Sequence, residues 1–217
     1  MLCSGLSATV NAADEAVPYV EKVEPGFDFD SGVWSQSLVI KDFRKPGAFS
    51  VMGRSFSTDA KVATEVYALR TAEALYLGVV CYDDDGLARK ARKTLSSSGM
   101  PQGNNFEIYI DGDLNEQQGY YQFIINPDGM AWLSKKGQVI PTSEWSYEAK
   151  QDESAWKFWV RIPYQAINIT SDTESVNVNF FRNYQPLKEP KDAQYSTWQG
   201  AEPASFPSLR TLYFENP

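Results

Sequence analysis

Residues Asn105 to Gly129 read NFEIYIDGDLNEQQGYYQFIINPDG, and their alternation decides the fold. Phe106, Ile108 and Ile110 alternate with Glu107, Tyr109 and Asp111, the period of a half-buried strand. An acidic turn containing glycine follows, from Asp111 to Gly119. Tyr121, Phe123 and Ile125 then alternate with Tyr120, Gln122 and Ile124. Asn126-Pro127-Asp128-Gly129 closes the second strand with turn chemistry, because Pro presets φ and Gly accepts a positive φ. Glu107, Tyr109 and Gln122 therefore point away from the apolar side. A sheet face carrying a carboxylate, a phenol and an amide is either a solvated face or the floor of a polar binding site.

The flanking sequence repeats the pattern. Val62 to Leu69 and Leu75 to Tyr82 (LYLGVVCY) read as a hairpin, the second strand apolar throughout and so central. Beyond Gly129 come a short hairpin from Met130 to Pro141, the strand Trp145 to Lys150, and Ala155 to Pro163 (AWKFWVRIP). Val176 to Arg182 (VNVNFFR) and Leu209 to Glu215 complete the strands. Pro18 to Val23 reads as an edge strand, and Lys41 to Asp59 and Asn183 to Pro207 as long loops. Trp34, just after a Gly turn, is expected to anchor a core. About ten short strands with little helix predict an all-β, antiparallel β-sandwich of immunoglobulin or jelly-roll type. Residues 17–217 form one domain in this reading.

Composition narrows the function. The formal net charge of −8 disfavours nucleic acid and anionic membranes, since there is no basic surplus to neutralise phosphates. The chain has no histidine, which removes any Ser-His-Asp triad and the commonest metal ligand. Cys81 lies in a strand-like run and reads as a small buried hydrophobe; Cys3 is in the leader, where lipidation is conceivable. Residues 1–16 are small and weakly apolar, with Val10-Asn11-Ala12 fitting a signal-peptidase site. They are either the remnant of an export signal or a disordered N-terminus. No run is long and apolar enough to span a bilayer as a helix. A monomer that is secreted or held in the cell envelope is the expectation.

The order of motifs resembles the carbohydrate-binding module family 9. An early Gly-Val-Trp precedes LYLGVVCYDDD, NNFEIYIDGD, YYQFIINPDG, WKFWVRIPY, NVNFFR, a loop Trp and LRTLYF, over roughly residues 20–215. The resemblance implies a non-catalytic module that binds mono-, oligo- or polysaccharide by clamping a pyranose between two Trp rings. Carried over, Trp198 matches the loop Trp and Glu107 the strand carboxylate. Gln122 stands where binders tend to have an arginine. The second Trp is missing, since Lys93 to Asn104 contains no aromatic, and Tyr195 replaces an amide three residues before Trp198. Trp132 or Trp145 could substitute if either folds over the same face.

The candidate sugar-binding residues are thus Trp198, Glu107, Gln122, Arg182, Tyr109 and Tyr184. Four have a structural alternative: a loop anchor for Trp198, a solvated face for Glu107 and Gln122, a buried ion pair for Arg182. Asp111, Asp113, Asn115 and Glu116 place oxygen ligands in one turn, a pattern that suits a structural Ca2+ and equally suits plain turn chemistry. The alternatives to sugar binding are a structural or protein-interaction domain that has lost the clamp, and a glycoside hydrolase. The last would need a cleft with two carboxylates roughly 5–9 Å apart.

Overall fold

The computed structural model describes residues 16–51, 54–83, 96, 99–112, 119–186, 194–198 and 209–216, with the backbone alone for 47–51 and 54–56. Fifteen strands lie among them: β1 (Ala16–Val17), β2 (Leu38–Ile40), β3 (Phe43–Val51), β4 (Arg54–Asp59), β5 (Thr64–Arg70), β6 (Ala74–Tyr82), β7 (Asn105–Asp111), β8 (Tyr121–Ile125), β9 (Ala131–Lys135), β10 (Gln138–Ile140), β11 (Ser146–Gln151), β12 (Ala155–Pro163), β13 (Ser175–Tyr184), β14 (Gln194–Trp198) and β15 (Arg210–Phe214). Among the described residues helix is confined to short 3₁₀ segments, one of them Tyr164–Ile167. No helix among the described residues is long and apolar enough to cross a membrane.

The strands form two sheets. The larger has ten strands, in the order β10-β9-β8-β7-β13-β14-β3-β4, with β15 also on β13 and β1 on β15; the smaller runs β11-β12-β6-β5-β2. All pairings are antiparallel except the short parallel pair of β1 and β15. The two sheets face each other. Phe106, Ile108, Phe123, Val178 and Phe180 of the large sheet meet Leu77, Val79, Trp156 and Phe158 of the small one in a single core. The Phe106 and Phe158 rings pack 5.5 Å apart. This is the antiparallel β-sandwich, and each large side chain it buries stabilises it by roughly 1.5–3 kcal/mol.

The outer face of the small sheet is apolar too, which is why LYLGVVCY shows no alternation. Tyr67, Leu69, Tyr76 and Val80 on that face are covered by Val20, Val23, Phe29 and Trp34 of the N-terminal segment. Trp34 is the anchor expected of it. The same cover explains Gly78: a Cβ there would stand 2.6 Å from the Phe29 ring. In the large sheet, after β8, Asn126 accepts from the backbone N–H of Asp128 and Met130 at 3.1 and 2.9 Å, and Gly129 has φ 76°. That turn ends β8 as its sequence predicts.

Three expectations need correction. Lys41 to Asp59 is not a loop but the β3–β4 hairpin; Pro46 and Gly47, which look like strand breakers, fall in the register shift between Lys45 and Phe49. A bulge is where a strand tolerates proline. Residues 183–207 likewise include β14, which bridges β13 and β3. Pro18 to Val23 is not a strand, since it makes only the bridge between Tyr19 and Arg70. Pro18 has no N–H to give a ladder, and the segment is occupied in covering the small sheet.

Candidate functional site

Side chains of β7 alternate between the core and the outer face of the large sheet. Phe106, Ile108 and Ile110 go inward, which leaves Glu107, Tyr109 and Asp111 outward. Register carries this parity to the neighbours. Trp132, Ile124, Glu107, Phe181, Thr197 and Arg44 stand opposite one another in a single row crossing β9, β8, β7, β13, β14 and β3. Ser134, Gln122, Tyr109 and Asn179 form the next row. Asn105, Asn183 and Tyr195 form the row on the other side.

Glu107, Tyr109 and Gln122 make a closed trio at the centre. The Tyr109 hydroxyl donates to Glu107 Oε2 at 2.6 Å, and Gln122 Nε2 donates to the same oxygen at 2.8 Å and to Tyr109 Oη at 2.9 Å. Tyr109 is held in turn by the edge of Tyr120, ring centroids 5.3 Å apart. No described residue donates to Glu107 Oε1, which is not among the fully buried polar atoms. The carboxylate is thus fixed through one oxygen, while the other accepts from no described residue.

This face is not freely solvated. Glu107 is 9% exposed, and Tyr109, Ile124, Ser134, Asn179 and Thr197 are buried. Burial pushes the Glu107 carboxyl above the ordinary carboxylate range, against the two hydrogen bonds that favour its ionised form. Burial and then the neighbouring Glu107 charge push the Tyr109 phenol up, so it stays a donor. A solvated sheet face would show neither the burial nor the closed trio. Gln122 is half-buried, as are Trp132, Phe181 and Asn183, and Tyr195 is exposed. These side chains belong to the accessible part of the face.

The structure brings Glu107, Tyr109 and Gln122 together and separates the rest of the candidate set from them. Trp198 is the main correction. It ends β14 rather than standing in a loop, it shares the parity of Ser196 opposite Arg182, and it is 2% exposed. Its ring packs on Phe180, centroids 5.9 Å apart, inside the sandwich. A ring in that position offers no face to a ligand. Arg182 is corrected as well: it points into the core and its Nη2 meets Asp83 Oδ1 at 2.9 Å, the buried pair that was its structural alternative. Tyr184 lies on the same inward side of β13, buried against Val62.

Of the substitute rings, Trp145 is in the core, stacked on Phe123 with centroids 5.3 Å apart. Trp132 lies on the outer face, in the row of Glu107. Among the calcium candidates, Asp111 is buried on β7; Asp113, Asn115 and Glu116 lie outside the described residues. No group of three or more His, Cys, Asp or Glu side chains gathers among the described residues.

Phe181 and Asn183 are members of this face that sequence reasoning passed over. The signal was the alternation within SVNVNFFRNY. Val176, Val178 and Phe180 share one side with Arg182 and Tyr184, leaving Asn177, Asn179, Phe181 and Asn183 on the other.

No family model matches the chain, and no curated protein matches its sequence. Solved structures do match in fold. A family 9 carbohydrate-binding module from Caldicellulosiruptor kristjanssonii, solved with cellotriose, gives a TM-score of 0.60 at 11% identity, covering 92% of this chain and 93% of that one. A structure of such a module from the same organism with glucose gives 0.61 at 12% identity, covering 92% and 95%. A candidate carbohydrate-binding protein from Bacteroides uniformis gives 0.62 at 12% identity, covering 92% and 98%. The fold expected from the order of motifs is the fold found.

Proposed function

We propose that the protein is a non-catalytic carbohydrate-binding module whose site is the outer face of the large sheet. The Glu107–Tyr109–Gln122 trio carries this reading. A carboxylate anchored through Oε2 presents Oε1 to sugar hydroxyls, and the half-buried Gln122 amide lies beside it. Buried, oriented polar groups of this kind discriminate among hydroxylated ligands, because leaving them unpaired is costly. Half-buried Trp132, in the row of Glu107, supplies an apolar ring surface. The modules solved with cellotriose and glucose share this fold, which supports the choice of ligand class.

Hydrolysis fits the face less well. Asp111, the next carboxylate along the outer side of β7, lies four residues on, about 13 Å at strand rise, beyond the separation glycosidases use. The acidic net charge favours a neutral ligand over nucleic acid. Export to the envelope or the outside belongs to the same proposal, and N-terminal sequencing of the mature protein tests it.

One observation favours a second reading, a structural or protein-interaction domain: Trp198, the clamp residue implied by the motif order, is in the core. Isothermal titration against a panel of mono-, oligo- and polysaccharides at millimolar concentration, with and without calcium, separates the two. Binding that is lost in Glu107→Ala and Gln122→Ala supports the module. A blank panel on folded protein leaves the interaction domain.

A further inference from the structure

Beside the trio lies a second set of side chains that the carbohydrate reading does not use. Phe181 stands directly opposite Glu107, and Asn183 opposite Tyr195. The Phe181 and Tyr195 rings pack against each other with centroids 5.3 Å apart and planes 32° apart. Tyr195 is 39% exposed, and Phe181 is half-buried beside it. Together they present one apolar ring surface on the flank of the carboxylate. The Asn183 side chain is half-buried and makes no hydrogen bond to a described residue, so its amide is open to a ligand.

We infer that the site takes an oligosaccharide rather than a single sugar, one ring hydrogen-bonded over Glu107 and Gln122 and the next stacked on Phe181 and Tyr195. The inference rests on the carbohydrate reading and extends it. Directly opposed residues have Cβ atoms about 4.5–5.5 Å apart, so a ring over Glu107 adjoins the Phe181 surface without a gap. From Gln122 on β8 to Tyr195 on β14 is three strand spacings across, about 14 Å, and four residues along the strands, about 13 Å, so the patch is longer than one pyranose. The two halves also divide the chemistry of a sugar. Carboxylate and amide groups at β7 and β8 take equatorial hydroxyls. The aromatic pair at β13 and β14 takes an apolar C–H face, with the Asn183 amide at its border for a hydroxyl of the stacked unit.

The test is isothermal titration of the full chain with glucose, cellobiose and cellotriose and with the matching xylose and mannose series. Tyr195→Ala, Phe181→Leu and Glu107→Gln are titrated alongside, each checked for a native melting transition. A stacked second ring is expected to give the trisaccharide roughly tenfold tighter binding than the monosaccharide. Tyr195→Ala and the milder Phe181→Leu then bring the trisaccharide down towards the monosaccharide value. Equal affinity for mono- and trisaccharide, or a Tyr195→Ala variant that keeps the whole gain, overturns the second platform. If Glu107→Gln still weakens binding in that case, the carbohydrate reading stands without it. A wild-type protein that binds none of the probes overturns both.

Discussion

Arg182 on β13 reaches across the sandwich to Asp83 at the end of β6, Nη2 to Oδ1 at 2.9 Å, with both side chains fully buried. The guanidinium also lies over the Trp156 ring, 5.1 Å from its centroid. Nε and Nη1 meet no acceptor among the described residues. Such a pair ties the two sheets together, yet its desolvation cost is incompletely offset. Removing either partner leaves the other buried charge without this pairing. Arg182→Ala or Asp83→Ala is therefore expected to cost about 3–5 kcal/mol in urea unfolding. The double variant Arg182→Met with Asp83→Leu should recover most of that loss. A double-mutant cycle with no coupling between the two positions would contradict the pair's role.

Glu107 links stability to function through its raised pKa. A carboxyl whose folded pKa lies above its unfolded one contributes stability below the unfolded value, about 4.3 for Glu. That contribution is lost as pH rises through the folded value. Burial of the Glu107 carboxyl therefore makes the fold less stable towards neutral pH than at acid pH. Glu107→Gln is expected to raise the melting temperature at pH 7, with the difference closing near pH 4, while lowering saccharide affinity. Melting curves across that range check it. A lower melting temperature at pH 7 would show the carboxylate to be a structural partner rather than one kept for a ligand.

Trp198 should behave as a core residue. It packs on Phe180 and under the Arg210 guanidinium, 5.6 Å from the ring. Trp198→Ala is expected to lose about 3–5 kcal/mol by cavity formation. Trp198→Phe keeps a ring in place and should fold with a smaller loss and unchanged saccharide affinity. Weakened binding by a well-folded Trp198→Phe, seen by titration, would return Trp198 to the site.

The contrast between Glu107 and Trp198 shows what a sequence carries. Alternation is local, so Glu107, Tyr109 and Gln122 could be placed on one face from NFEIYID and YYQFII alone. The same rule applied to VNVNFFR puts Arg182 with Phe180 and Val178 on the core side. Treating Arg182 as a binding residue gave residue type more weight than parity. Trp198 was harder. Whether YSTW is loop or strand depends on pairing to Arg182 and Phe43, both distant in sequence. The Phe181–Tyr195 contact is non-local in the same way. Pro46 and Gly47 misled because a bulge and a loop use the same residues, and only a partner strand tells them apart.

Gly78 tests how the N-terminal segment is held. It lies mid-strand on β6, opposite Tyr67 and Trp159, where glycine is otherwise unfavourable. A Cβ there would be 2.6, 2.7 and 2.9 Å from Cε1, Cδ1 and Cζ of Phe29. The ring cannot simply swing away. It packs edge-on against Trp34 at 5.0 Å and tilted against Tyr67 at 5.3 Å. Gly78→Ala must therefore lift Phe29 and the segment around it off the sheet, costing about 1–3 kcal/mol as overpacking does. The inward core, on the other side of β6, is untouched by the added methyl. Limited trypsin digestion is expected to cleave faster at exposed Lys22 in the variant, while the strands keep their far-ultraviolet dichroism. Cleavage at the wild-type rate with undiminished stability would mean that the segment does not depend on the close approach of Phe29 to Gly78.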